Sequence, residues 1–329
     1  MVEALGAIAL LALVLYALSG GADYGGGVWD LLASGPRAAA QRALVSDAIG
    51  PIWEANHVWL ILVVIILFTA FPRGFAVVAT ALHTPLSLLL VGILLRGSTF
   101  TFRSYAGRSS SLRRRWGVAF AIASLVTPIL LGVNLGALGA GRIVIADGRV
   151  VSGFVAPWLG VFSFAVGFLA LSLFAYLAAV YLVVEAAAQP TGAELAEDFR
   201  RRALSSAVVA AAVAVLVLLL ARGSTLGLYG RLLRLWPLHL VTFGLAALSF
   251  TALWRRRYRL ARSGAAGQVA LIVIGWGVLQ YPYLVVPGVE LHAVAAPPTT
   301  LRLLLIVLGV GAAVVLPSFV YLFRVFKAR

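Results

Sequence analysis

The 329-residue sequence contains no cysteine, few acids and a single lysine. The absence of cysteine excludes disulfides, thiolate metal sites and iron–sulfur clusters, and it leaves the redox compartment undetermined. Charged residues make up only 11% of the chain, whereas soluble globular domains have about a quarter. A soluble domain of ordinary composition is therefore excluded.

The motifs of a self-sufficient enzyme are also missing from the sequence. It has no glycine-rich nucleotide loop, no nucleophile–base pair and no residues at metal-ligand spacing. His83, His239 and His292 are scattered over separate spans and connections, whereas the axial ligands of a haem would have to converge on one point. We expect a structural or interfacial role for each of the three.

Long apolar runs are what the chain does contain. Hydrophobic residues make up 62% and the mean hydropathy is +1.04, and a membrane-spanning helix needs about 20 mostly apolar residues. We predict an all-α polytopic membrane protein, a single integral membrane domain over residues 1–329, with about nine transmembrane helices arranged as helix bundles. The predicted spans are 3–19, 52–71, 75–95, 116–140, 157–184, 203–221, 236–254, 267–286 and 303–325. Glu3 stands where a signal peptide would be basic, so the first run is predicted to be a span.

The formal net charge of +15 is carried by short arginine clusters between the apolar runs. With nine spans, 19 of the 26 basic residues fall on one side of the membrane. Because basic residues are enriched in cytoplasmic loops, the N-terminus is predicted outside and the C-terminus in the cytoplasm. The clusters suit membrane topology and anionic lipid headgroups, so we expect lipids and not nucleic acid as partners.

Three connections carry local signals. The short link FPRG (Phe71–Gly74) predicts that the second and third spans form an antiparallel hairpin. Residues 185–202 contain Pro190 and Thr191 as a helix start, followed by acids and three arginines, which predicts a short amphipathic cytoplasmic helix with solvated acids. The segment YPYLVVPG, residues 281–288, predicts a helix end broken by proline.

The stretch IGPIWEANHVWLI places an acid at the head of an apolar run. On a helix, Glu54 and His57 are three residues apart and share one face, while Asn56 and Trp59 share a neighbouring face. An acid inside a membrane segment is by default a functional group. The alternative is that Glu54 is solvated among the headgroups, with Trp53 and Trp59 as interfacial aromatics.

Arg96 is a second candidate, because it lies where the third span is predicted to return to the same membrane face as Glu54. An ion pair between the two is one interpretation. The other is an arginine that extends its head to the lipid headgroups. Asp23, Asp30 and Asp47 are also expected near this face.

At IGPIWEANHVWLI the sequence resembles subunit II of the cytochrome bd quinol oxidases, which carry a Pro-x-Trp-Asp-x-Asn-x-Val-Trp pattern there. Upstream, GGADYGGGVWDLL is similar to the family's Asp-x-Gly-x-Gly turn after span one, with Asp23, Gly25 and Gly27 in the matching positions. Downstream, LLRGSTFTFRS is similar to the family's Arg…Phe-Asp-Tyr-Arg stretch, with Arg96, Phe100 and Arg103 in the matching positions. YPYLVVPG is similar to the family's Phe-Pro-Phe-Val-x-Pro segment in span eight.

The resemblance implies a pseudosymmetric heterodimer with a homologous, haem-bearing subunit I in the prokaryotic cytoplasmic (inner) membrane. In this family the two b-type haems, the d-type haem and the quinol site belong to subunit I, and the complex reduces oxygen to water with electrons from quinol. Subunit II alone is then not catalytic and holds no metal. Some members of the family hold a structural quinone in subunit II, and a small single-span subunit is a further partner to consider.

The resemblance also implies part of a cytoplasmic proton route. Glu54 occupies the family's Asp position and Asp23 a second acid position, and these two would relay protons inward with Asn56 and His57 holding waters. The two other acid positions of the family are occupied here by Gly20 and Thr101. Proton entry mainly through the partner subunit therefore stays open.

Three alternatives to an ordinary bd-type subunit are left open by the sequence. One is a divergent bd-like complex with a different electron donor or haem content. A second is a proton-coupled transporter with Glu54, His57 and Arg96 at a midplane site, although the inverted repeats and paired broken helices of transporters are not visible in the sequence. The third is a purely structural scaffold, in which Glu54 has no role in turnover.

Overall fold

The computed structural model describes residues 1–49, 53–105, 110–147, 149–223 and 227–327. The described residues form twelve helices and two short antiparallel two-stranded sheets, β1 with β2 and β3 with β4. The helices are α1 (Val2–Leu31), α2 (Ala38–Ile49), α3 (Trp53–Ala70), α4 (Pro72–Ala81), α5 (His83–Tyr105), α6 (Ser110–Gly139), α7 (Val161–Ala187), α8 (Ala193–Ala221), α9 (Leu228–Arg234), α10 (Trp236–Trp254), α11 (Tyr258–Gln280) and α12 (Pro298–Lys327). The strands are β1 (Ile145–Ala146), β2 (Arg149–Val150), β3 (Tyr283–Val285) and β4 (Val289–Glu290).

The membrane-spanning helices match the predicted all-α polytopic fold. Eight helices of the described part are long and apolar enough to cross a membrane, and α3 with α4 gives a ninth crossing if this bent pair counts as one span. The predicted hairpin at Phe71–Gly74 is wrong, because α4 is bent from α3 by 119° and lies between α3 and α5. Pro72 causes this break, since proline lacks an N–H and is tolerated in the first turn of a new helix. The third long span is consequently α5, and not residues 75–95.

The first helix is longer than the predicted span 3–19, because α1 continues through the glycine run to Leu31. The expected turn at Asp23, Gly25 and Gly27 is therefore helical. Glycine is unfavourable in a helix by about 1 kcal/mol relative to alanine, but here it permits close packing. A Cβ on Gly25 would lie 2.0 Å from the carbonyl oxygen of Phe174 in α7.

The acidic segment after α7 also differs from the prediction. Residues 193–202 do not form a separate amphipathic helix but the first turns of the long helix α8. Its acids are paired rather than merely solvated: Asp198 accepts two hydrogen bonds of 2.7 and 2.8 Å from Arg37, and Glu197 accepts hydrogen bonds from Arg200 and Arg201. The hydrogen bonds to Asp198 raise the pKa of Arg37 above its usual value. These ion pairs neutralise part of the charge in the first turns of α8, and the apolar part of the same helix follows directly.

The core is centred on α7, the most deeply buried of the spans. This helix packs against α1, α6, α8 and α11, and residues 173–180 along it are fully enclosed. Helix α10 packs mainly on α11, and α12 lies at the edge with most of its apolar surface exposed. The helix end predicted at the YPYLVVPG segment is confirmed, since α11 ends at Gln280 and β3 follows.

Contacts at the two ends of the bundle agree with the predicted sidedness of the loops relative to one another. At one end, Arg37 after α1 pairs with Asp198 of α8, and Arg256 after α10 lies 3.5 Å from Glu197. At the other end, His292 before α12 lies 2.8 Å from a carboxylate oxygen of Glu3 in α1. The arginine-bearing connections after α1 and α10 therefore lie at the same end of the bundle as the first turns of α8, which we call the arginine-rich end.

Candidate functional site

The most enclosed charges in the described part of the protein are Asp23 of α1 and Arg96 of α5. Their side chains are 3% and 2% exposed, and the guanidinium donates one hydrogen bond of 2.7 Å to each carboxylate oxygen. A third hydrogen bond of 2.9 Å reaches the backbone carbonyl of Asp23. This fork geometry gives the strongest class of ion-pair hydrogen bonds. Among the described residues, Arg96 is paired with Asp23. The pairing of Arg96 with Glu54 that the sequence suggested involves a side chain outside the described part.

Aromatic rings enclose this ion pair. The guanidinium carbon of Arg96 lies 4.8 Å from the ring centroid of Tyr24 and 5.1 Å from that of Phe120. A cation over an aromatic face is attracted by the ring quadrupole, and this attraction increases when water is excluded. The hydroxyl of Tyr16 donates to the hydroxyl of Tyr24 over 3.3 Å, so a hydroxyl pair borders the ion pair on α1.

His57 of α3 lies beside the two tyrosines. Its ring centroid is 6.0 Å from that of Tyr16 and 6.4 Å from that of Tyr24. The Nδ1 atom is buried and has no hydrogen-bond partner among the described residues. A buried imidazole nitrogen without a partner is costly, so His57 has unused capacity to exchange a proton or bind a water. Nε of Arg96 also lacks a described partner, but a guanidinium stays charged and does not exchange its proton.

The other predicted site residues occupy ordinary helical positions or lie outside the described side chains. Asn56 is 2% exposed and donates from Nδ2 to the carbonyl oxygen of Ser19 over 3.4 Å. Trp59 stacks on Phe319 of α12 with centroids 5.1 Å apart, and Thr101 donates to the carbonyl of Gly97 within its own helix. The side chains of Trp53, Glu54 and Arg103 lie outside the described part.

Glycines on α1 allow this helix to lie close to α6 and α7 beside the site. Gly25 faces the backbone of α7, and a Cβ on Gly27 would lie 2.1 Å from the hydroxyl oxygen of Ser124 in α6. Small residues let helices in a membrane approach closely, where packing replaces the hydrophobic effect as the driving force. The motif glycines thus bring α1 against α6 and α7, and hold Asp23 at the depth where Arg96 reaches it.

The structure adds Tyr16, Tyr24 and Phe120 to the residues that sequence analysis selected. Tyr24 is adjacent to Asp23 in the sequence, and Tyr16 lies two helical turns before it, so both are close to an acid already singled out. Phe120 carries no such signal, because it comes from α6 and contacts the site only after the helices pack.

The histidines do not converge in the described part of the chain. His83 packs edge-on against Phe154, His239 Nε2 lies 3.0 Å from the carbonyl of Leu232, and His292 is paired with Glu3. No group of three or more His, Asp or Glu side chains among the described residues could hold a metal ion. These contacts do not fit the paired axial ligation of a haem.

Comparison with known proteins gives the same family along the whole chain. The family described as cytochrome bd terminal oxidase subunit II matches residues 1–326. The putative cytochrome bd menaquinol oxidase subunit II of Bacillus subtilis is 23% identical over 325 residues, 95% of this chain and 91% of that protein. Cytochrome bd-I ubiquinol oxidase subunit 2 of Escherichia coli is 29% identical over 126 residues, 38% of this chain and 32% of that protein.

A solved structure shares the fold over the full length. A chain in the structure of bd oxidase from Geobacillus thermodenitrificans superposes with a TM-score of 0.76, covering 100% of this chain and 99% of that chain at 20% identity. The fold therefore agrees with the match of the family over residues 1–326. This chain, a multi-pass protein of the cytoplasmic membrane, belongs to the family of cytochrome bd terminal oxidase subunit II.

Proposed function

We propose that the chain is the non-haem subunit of a heterodimeric cytochrome bd-type quinol:oxygen oxidoreductase in a respiratory chain. The observation that carries this proposal is the match of the family over residues 1–326. The B. subtilis and E. coli relatives are named as subunits of menaquinol and ubiquinol oxidases, which supports quinol as the electron donor of the complex. Residues 1–329 form a single integral membrane domain in this proposal, with the N-terminus outside and the C-terminus in the cytoplasm.

In this proposal the haems b and d and the quinol site belong to the partner, subunit I. The histidines of this chain support that assignment, because those outside the ion-pair site already contact Phe154, Leu232 and Glu3. The haems, when bound in subunit I, supply the electron transfer and the oxygen chemistry. This chain supports subunit I in the bilayer and contributes part of the proton route. Lipids, a structural quinone and a small single-span subunit complete the expected set of partners.

The proton route proposed for this chain runs from Glu54 to His57 at the head of α3, with Asn56 beside them. Support comes from the buried Nδ1 of His57, which has no partner among the described residues, and from its position against the hydroxyl pair of Tyr16 and Tyr24. Chains of ionisable groups around water are the usual means of moving protons inside a membrane. This route continues inward from the arginine-rich end of the bundle.

Asp23 has a different role in this proposal from the one suggested by sequence alone. A proton on its carboxylate would leave the Arg96 guanidinium buried without a counter-ion, which is strongly unfavourable. The two 2.7 Å hydrogen bonds and the aromatic enclosure support a permanent ion pair. Asp23 therefore acts as the fixed counter-ion of Arg96, and not as a carrier of protons.

The proposal is tested by purifying the complex through a tag on Arg329 and recording a reduced-minus-oxidised optical spectrum. We expect haem b and haem d bands together with a second polypeptide. A single polypeptide without haem would overturn the assignment and would favour the proton-coupled transporter. A haem-containing complex lacking the d band would favour a divergent bd-like complex.

A further inference from the structure

An apolar cleft opens toward the lipid between α8 and α10. Its volume is about 360 Å³, and its floor is formed by α7 and α11. Small and aromatic side chains line it together with two polar ones, among them Ala207, Ala211, Phe243, Ala247, Thr251 and Gln268. Thr251 and Phe243 are eight residues apart on α10, so the cleft extends at least about 12 Å along the helix.

An arginine cluster stands at one end of this cleft. Arg200, Arg201 and Arg256 all lie within 3.5 Å of the carboxylate of Glu197, at distances of 2.7, 3.2 and 3.5 Å. One carboxylate cannot neutralise three guanidiniums, so these four side chains together carry a net positive charge. The side chains of Arg201 and Arg256 are 77% and 69% exposed, and are accessible from the membrane surface.

Further arginines extend the positive charge on the same end of α10 and α11. Arg255 and Arg257 are exposed where α10 passes into α11, and Arg259 is exposed in the first turn of α11. Thr251 lies one helical turn, about 6 Å, before Arg255 along the axis of α10. The exposed ring of Trp254 between them marks the level of the lipid headgroups.

We propose that the α8–α10 cleft is a binding site for one anionic phospholipid. The headgroup phosphate lies at Arg255 and Arg256, and one acyl chain lies in the cleft from Thr251 toward Phe243. The net positive charge at the mouth selects a negative headgroup, and the apolar walls admit a hydrocarbon chain. Arginine suits this role because its planar fork donates two hydrogen bonds to a phosphate.

The headgroup, and not the acyl chain, determines selectivity at such a site. A lipid tail leaves one apolar surrounding for another when it enters the cleft, so the tail gains little from the hydrophobic effect. The tail instead orders the lipid between α8 and α10, whose direct packing on one another is sparse. The bound lipid is therefore expected to fill the space between these helices at the arginine-rich end.

The test uses the intact complex in nanodiscs, with lipids retained after mild extraction counted by native mass spectrometry. The probes are phosphatidylglycerol and phosphatidylcholine with identical acyl chains. The double variant Arg255→Gln/Arg256→Gln removes the two arginines that are proposed to bind the phosphate. The variant Ala211→Phe places a large side chain in the cleft. Arg324→Gln is the matched control, because it removes an exposed arginine of α12 at the same end of the bundle.

We expect one phosphatidylglycerol per chain that phosphatidylcholine does not replace, in the unaltered protein and in the Arg324→Gln control. Affinity should fall about fivefold for each arginine removed at the mouth. Ala211→Phe should release the lipid although every arginine remains. Equal retention of both lipids, or an affinity in the double variant equal to that of the control, would overturn the proposal. So would an isoprenoid quinone that stays in the cleft of the double variant.

Discussion

The guanidinium of Arg96 on α5 and the carboxylate of Asp23 on α1 form a two-pronged ion pair, with both nitrogen–oxygen distances at 2.7 Å. The two residues are 73 positions apart in the sequence and are among the least exposed side chains of the protein. The pair links α5 to α1 inside the bundle, where both helices pack against α6.

Removing one partner of this pair should destabilise the protein strongly. Arg96→Met leaves the Asp23 carboxylate buried without a cation, and we expect a loss of about 3–5 kcal/mol of unfolding free energy. Denaturant unfolding of the detergent-solubilised complex measures it. The double variant Asp23→Val/Arg96→Met carries no buried charge and should recover most of the loss. A double variant as unstable as Arg96→Met would show that shape and not charge governs the site.

The same double variant tests whether Asp23 is only the counter-ion of Arg96 or also carries protons. If Asp23 only balances Arg96, oxygen consumption by the Asp23→Val/Arg96→Met complex should stay close to that of the unaltered complex. The single variant Asp23→Asn leaves Arg96 charged, so we expect it to lower the yield of folded complex more than the turnover of the molecules that fold. Turnover lost in both variants to the same extent would contradict the fixed-pair interpretation.

Glu54 and His57 are the groups whose replacement should slow turnover. We expect Glu54→Gln and His57→Phe each to lower oxygen consumption by roughly tenfold or more, since a positioned proton-transfer group contributes a factor of this size or larger. The phenyl ring of His57→Phe retains the contacts with Tyr16 and Tyr24, so stability should change little. Glu194→Gln, an exposed acid, is the control. Unchanged turnover in both variants would favour a purely structural scaffold.

We expect Gly25→Ala to lower the thermal stability of the protein, because there is no room for a side chain at Gly25. Its added Cβ would lie 2.0 Å from the carbonyl oxygen of Phe174, and overpacking of this kind costs about 1–3 kcal/mol. Gly244→Ala on α10 is the matched control, because no described atom lies within 4 Å of its added Cβ and alanine is the better helix former. Thermal unfolding of both variants makes the comparison. Equal stability of the two would mean that α1 does not depend on this close approach.

The orientation of the bundle can be measured with single cysteines, because the chain has none of its own. Ser34 is exposed between α1 and α2, and Ala156 is exposed between α6 and α7. We expect a membrane-impermeant maleimide to label Ala156→Cys from outside intact cells, and to label Ser34→Cys only after the membrane is opened. The reverse pattern would place the arginine-rich end outside and contradict the positive-inside rule for this protein.

The class of fold could be predicted from the sequence because membrane spans are a matter of length and apolarity, and both are local properties. The sidedness of the loops relative to one another was equally accessible, since arginine density needs no tertiary contacts. The break between α3 and α4 was missed because a short loop and a proline-initiated helix look alike in a hydropathy profile. The end of α1 was placed too early because glycine disfavours a helix unless a neighbouring helix lies against it, as α7 does at Gly25.

The same distinction between local properties and tertiary contacts applies to the candidate site. The sequence by itself determined that Asp23, Glu54, His57 and Arg96 had to be explained, because charged and titratable groups in apolar spans need a partner or a function. Only the tertiary structure decided that Arg96 pairs with Asp23, since an ion pair between residues 73 positions apart depends on how α1 and α5 are both placed against α6. Packing also brought Tyr16, Tyr24 and Phe120 around that pair and buried Nδ1 of His57 with no partner in the described part of the chain. The sequence thus shows which titratable and charged side chains lie in apolar segments. Which of them pair depends on distances between helices, and these are set only when the helices pack.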